Sequence, residues 1–138
     1  QAVRPTPYIE AVASFEQVAG GATAAPAWEA ALRQWPHDGR PYLALGNQAY
    51  TRDDLPLAVD YYRRGLALNP GDPALGNNLA TVLGEVGCPE QGRALLEPIV
   101  EALPAGSRWG SVMAGTLDEL AARRQSSGSG CVLFSPGS

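Results

Sequence analysis

Three prolines, Pro36, Pro70 and Pro104, stand 34 residues apart in the 138-residue sequence. Each closes a helix-like run and precedes a short turn of polar or small residues: "WPHDGR", "NPGDPA" and "LPAGSR". A fixed period of this length is the signature of a chain built from one supersecondary unit used repeatedly. Apolar and small residues keep the same register. Trp28, Tyr62 and Leu96 share one position. Ala24, Ala58 and Gly92 share another, four residues earlier, where a small side chain lets two helices approach. Ala31, Gly65 and Ile99 share a third, and Ala11, Leu45 and Leu79 a fourth.

Local chemistry divides each period into two helices. Tyr42 to Tyr50 carries apolar residues at helical spacing, and "TRDD" then breaks the pattern. Asp53 or Asp54 can cap the next helix, with Pro56 in its first turn, where a missing N–H does little harm. In "GCPE", Pro89 takes a first-turn position and Glu90 sits near the positive helix end. "GGATAAP" supplies the break in the first period, with Thr23 as the expected cap. After Pro104 one more amphipathic helix is expected, with Trp109, Val112, Met113, Leu117 and Leu120 on one face and Arg123 and Arg124 at its negative end. Pro98 lies inside an expected helix and predicts a kink or break, since it removes a backbone bond to Ala94.

At these positions the chain resembles the tetratricopeptide repeat (TPR) family. Tyr42, Leu45, Gly46, Ala49, Ala58, Tyr62 and Pro70 fall on the family's signature spacing, with Gly65 where Ala is usual. The first repeat is degenerate in its first helix, and the third departs at Gly76 and Gly92. The resemblance implies an all-α fold of seven helices. It would be a right-handed superhelix of three helical hairpins, at about residues 5–38, 39–72 and 73–106, plus a capping helix at 107–124. The repeat domain then spans 1–125, leaving 126–138 as a flexible linker and apolar tail.

Little in the chain points to catalysis. The single histidine, His37, falls in a predicted turn, and no Cys–His spacing resembles a zinc site. There is no phosphate loop and no dinucleotide fingerprint. No catalytic residue, metal site or cofactor is therefore expected, and the chain is read as a non-enzyme. A net charge of −4 argues against nucleic acid as a partner, and no apolar run is long enough to span a membrane. Two cysteines, Cys88 and Cys131, are read as too few for a disulfide framework. The chain begins with Gln1 and is expected to be a processed protein or a piece of a larger one. A bacterial periplasmic location is favoured over the cytoplasm.

The resemblance also implies a site. In the family, fixed positions of each first helix face a concave groove. Repeat two offers Arg40, Leu43, Ala44, Asn47, Tyr50 and Thr51; repeat three offers Ala74, Asn77, Asn78, Thr81, Gly84 and Glu85. Repeat one offers Thr6, Ile9, Glu10, Ala13, Glu16 and Gln17, and the capping helix adds Arg108, Ser111 and Val112. Asn47 and Asn78 stand where peptide-binding members often carry Asn, whose carboxamide can serve a peptide C=O and N–H together. Replacing either by Ala is expected to weaken peptide binding with little change in melting temperature. Leu43 and Ile9 occupy positions where a carboxylate clamp would need a cation, so the expected ligand is an extended, partly apolar peptide.

"SSGSG" reads as a linker, and Cys131, Val132, Leu133 and Phe134 as a ligand-like segment, native or fused, for this chain's groove or a neighbour's. Two other readings stand beside peptide binding. One is a substrate-positioning domain, because "PTPYIEAVASFEQ" and the run from Ala27 to Tyr50 look similar to repeat domains that follow papain-like, bacteriocin-processing-type peptidases in bacterial envelope proteins. The other is a structural assembly subunit docking by its convex face.

Overall fold

The computed structural model describes residues 5–123 and Cys131, apart from the side chains of residues 22 and 23. Among these residues the chain forms seven α-helices and no strand. They fall into two compact units that divide after Asn69.

The first unit holds two helical hairpins. α1 (Pro5–Ala19) opens with prolines in its first turn and buries Ile9 and Val12. Ala11, expected to share the inward register of Leu45, is exposed. In this degenerate helix the larger Ile9 and Val12 take the core, and Ala11 turns outward. Gly20 alone breaks the chain, with φ of 94°, a conformation that costs glycine little. α2 (Gly21–Gln34) starts at the next residue with Gly20 as N-cap, so Thr23 lies inside the helix and does not cap it. The core of this hairpin gathers Ile9, Val12, Ala24 and Trp28 with Leu45 of α3.

α3 (Arg40–Thr51) and α4 (Leu55–Leu68) form the second hairpin. Of the two candidate caps, Asp54 accepts from Leu57 N at 3.3 Å, while Asp53 makes the turn with φ of 63°. Gly46 lies against the Tyr62 ring so closely that a β-carbon there would overlap it.

In the second unit, α5 (Pro73–Glu85) begins on an Asp72 cap that accepts from Leu75 N at 3.0 Å. α6 (Pro89–Glu101) follows a turn at Gly87, with Pro89 and Glu90 in its first turn. The helix runs on through Pro98, so the expected break is absent. Pro98 lies in the last turn, and both it and Ala94 are exposed, so the carbonyl deprived of its partner sits on the solvent side. α7 (Trp109–Ala122) packs on both α5 and α6. Met113 and Leu120 are its buried residues; Trp109 and Leu117 are half-buried, and Val112 is 48% exposed, outside the apolar face assigned to it. Leu120 settles over two glycines. A β-carbon on Gly84 would stand 2.7 Å from its Cδ2, and one on Gly92 would stand 3.2 Å from it and 2.9 Å from the Ala80 carbonyl.

The largest correction to the sequence reading is covalent. Cys88, the N-cap of α6, is joined to Cys131 by a disulfide with Cα atoms 5.2 Å apart. A separation of 43 residues leaves no local signal of such a pairing. Arg124, Val132, Leu133 and Phe134 lie outside the described residues.

Candidate functional site

Most of the expected site residues of the first unit surround one cleft. Ile9, Ala13, Glu16 and Gln17 of α1 meet Arg40, Leu43, Ala44 and Asn47 of α3, with Gly21 and Trp28 of α2 completing the wall of a space of about 450 Å³. Helical spacing explains the convergence: the α1 and α3 residues recur three or four apart, so each set shares one face of its helix. The middle of the wall is apolar and its rim carries Glu16, Arg40 and Asn47. Tyr50, also expected here, is 39% exposed and is not part of this wall.

The rim is held by hydrogen bonds. Trp28 donates its ring N–H to Glu16 Oε2. Buried Tyr62 donates its hydroxyl to Asn47 Oδ1 at 2.6 Å, which fixes the carboxamide of Asn47. Arg40 donates through Nε to Asp38 Oδ1 at 2.9 Å and through a terminal nitrogen to Thr6 at 3.2 Å. The bond from Arg40 holds the Asp38 carboxyl below its ordinary pKa, against the opposing effect of burial. Asp38 also accepts from the Arg40 backbone N–H at 3.0 Å, so it secures the start of α3 as well as the arginine.

A second space of about 310 Å³ continues from the first. It shares Glu16, Gly21 and Asn47 and adds Gln48, Thr51 and Arg52. Gln48 is not among the residues that the sequence singled out. It shares a register position with Val82, which is 1% exposed, and with Ser14, which is exposed, so the register alone does not settle its burial.

In the second unit, Asn78 and Thr81 are half-buried, Glu85 is exposed, and Arg108 is the exposed N-cap of α7. Thr81 turns its hydroxyl back to the Asn77 carbonyl at 2.8 Å. Asn77 and Gly84, expected to face a ligand, face α7 instead: Thr116 donates to Asn77 Oδ1 at 2.7 Å, and Leu120 covers Gly84. Cys131, expected as part of a ligand-like tail, is bonded to Cys88. His37 is exposed in its turn, and among the described residues no group of His, Cys, Asp and Glu could hold a metal ion. No helix among them is long and apolar enough to cross a membrane.

No protein-family model and no curated protein matches the sequence. Solved structures do match the fold. The Yersinia enterocolitica type III secretion translocator chaperone SycD, in its alternative dimer, aligns with a TM-score of 0.74 at 15% identity, covering 88% of this chain and 94% of that one. SycD in complex with a peptide of the translocator YopD aligns at 0.72 and 16% identity, covering 83% and 90%. An O-GlcNAc transferase mutant from Thermobaculum terrenum aligns at 0.67 and 26% identity, covering 85% of this chain but only 23% of the transferase. The fold is a TPR-like helical repeat. None of these structures is a bacteriocin-processing peptidase.

Proposed function

We propose that the chain is a non-catalytic peptide-binding domain that holds an extended, partly apolar segment of a partner. The observation that carries this reading is the first-unit cleft, with Ile9, Ala13, Leu43 and Ala44 in its wall and Glu16, Arg40 and Asn47 at its rim. An apolar trough with a few fixed polar groups suits a peptide whose side chains enter the trough while its backbone meets the rim. The complex of SycD with a YopD peptide supports the reading, since SycD has the same fold and holds a peptide.

The test is an array of short synthetic peptides graded in apolar content, including "CVLFSPGS" from the chain's own tail. Peptides with spaced apolar residues should bind, and Leu43→Asp should abolish binding while the helical circular dichroism signal is retained. Equal binding by Leu43→Asp, or no preference for apolar over charged peptides, would refute the proposal.

A further inference from the structure

Glu16 stands where the two spaces of the first unit meet. Among the described residues it is the only charged one that lines both, with Gly21 and Asn47 as the other shared residues. Its carboxylate is held in place, because buried Trp28 donates its ring N–H to Oε2. The second oxygen, Oε1, is left over. It accepts from none of the described residues and is not one of their buried unpaired atoms, so this half-buried side chain keeps one oxygen open to solvent.

No cation among the described residues neutralises it. The ion pairs of the first unit join Arg40 to Asp38 and Arg64 to Asp60, and neither includes Glu16. Arg40, the cation in the wall of the larger space, is engaged by both oxygens of Asp38. Arg52 lines only the smaller space, where it is exposed. A carboxylate without a counter-charge in a partly desolvated cleft attracts a cation that reaches it, and one already fixed in place loses little freedom in holding it. Beside it the larger space is lined by the apolar Ile9, Ala13, Leu43 and Ala44.

We propose that Glu16 is the specificity-determining residue of the cleft and takes a basic group of the bound segment, a guanidinium or an ammonium that donates to Oε1. This rests on the peptide-binding reading above and adds the charge that the peptide carries beside its apolar residues. An anionic side chain is repelled at this point, and a neutral one brings no counter-charge. The basic group can be an Arg or Lys side chain or the free N-terminus of the segment.

The experiment is a set of NMR titrations of the full chain with four tripeptides. Leu-Arg-Leu, Leu-Met-Leu and Leu-Glu-Leu are N-acetylated and C-amidated; the fourth is C-amidated Leu-Met-Leu with a free N-terminus. The Trp28 indole N–H signal reports the Glu16 carboxylate, and the Leu43 and Ala44 methyl signals report the cleft. Capped Leu-Arg-Leu should bind about 2- to 5-fold tighter than capped Leu-Met-Leu, the range of a partly exposed ion pair, and should move the Trp28 signal further. If only the free N-terminus brings this gain, the terminal ammonium is the group read; a gain from either source supports the proposal. Glu16→Gln keeps an acceptor for Trp28 but removes the charge, and should abolish the gain. Glu29→Gln removes the same charge from an exposed position outside the cleft and should preserve it. A gain that survives Glu16→Gln, or that falls equally in both variants, would overturn the proposal in favour of general attraction to an acidic chain. Tighter binding of Leu-Glu-Leu would overturn it in favour of an anion site at Arg52. Methyl shifts with equal affinity for all four peptides would overturn the charge preference and leave the cleft standing. No shift anywhere would overturn both. The wild-type ranking and the Trp28 signal decide between these outcomes even where Glu16→Gln fails to fold.

Discussion

A β-carbon on Gly76 would stand 2.5 Å from Cδ1 of Ile99. The two residues exchange the sizes found in the other repeats. Tyr8 and Tyr42 occupy the register of Gly76, and Ala31 and Gly65 occupy the register of Ile99. Repeats one and two thus pair a large residue in the first helix with a small one in the second, and repeat three reverses them. A core tolerates such an exchange when total volume is kept.

The pair should therefore be energetically coupled. Ile99→Ala alone should cost about 2–5 kcal/mol, the usual range for emptying a buried aliphatic site. Gly76→Tyr alone should overpack and cost roughly 1–3 kcal/mol. The double variant restores the arrangement of repeat one and should be less destabilised than the sum, with a coupling of about 0.5–3 kcal/mol. Urea unfolding of the four proteins measures this, and strict additivity would show that the two sites do not share space.

Asn47 should be structural as well as functional. Because Tyr62 is 2% exposed and donates to Asn47 Oδ1 at 2.6 Å, Asn47→Ala removes an acceptor from a buried hydroxyl. The loss should be about 0.5–1.5 kcal/mol, enough to lower the melting temperature by a few degrees. This revises the sequence-based expectation of an unchanged melting temperature. Tyr62→Phe should shift the Asn47 side-chain NH2 signals, and unmoved signals would deny the bond.

The ion pair at the start of α3 predicts a pH dependence. The folded-state pKa of Asp38 lies below its ordinary value because Arg40 donates to it. Its contribution to stability is full above that ordinary value and is lost as pH falls through the folded pKa. Asp38→Asn should thus lower the melting temperature at neutral pH and converge on the parent in acid. A constant difference across the range would exclude this cause.

The sequence made the fold legible where packing repeats and obscured it where packing is exchanged. Trp28, Tyr62 and Leu96 are all buried, as one register position repeated in three hairpins predicts. Gly76 and Gly92 read as departures, and Gly84 as a groove position, because the partners that fit them, Ile99 and Leu120, lie in other helices. The cleft of the first unit followed from positions on α1 and α3, whereas the fates of Asn77 and Gly84 depended on where α7 packs. Gln48 shows a different failure. Its register partners point both ways, with Val82 buried and Ser14 exposed, and a polar residue beside Asn47 reads naturally as part of a solvated face.

The disulfide should carry the stability of the second unit. Cys88 is fully buried and Cys131 is 5% exposed, so the bond is sheltered from solvent thiols in the folded protein. Closing a loop of 43 residues restricts the unfolded chain, an effect typically about 2–4 kcal/mol. Cys131→Ser should lower the urea midpoint by a corresponding amount, and a reducing agent added to the unfolded parent should reproduce the loss. Thiol titration in denaturant should find no free thiol in the oxidised protein and two after reduction. Bonds of this kind persist in oxidising compartments and are rare in the cytosol. Alkylation of the protein at the moment its native cells are lysed therefore separates oxidising from reducing compartments. Protected cysteines place the chain in an oxidising compartment, and full alkylation places it in a reducing one, where the second unit would have to hold its fold without the bond.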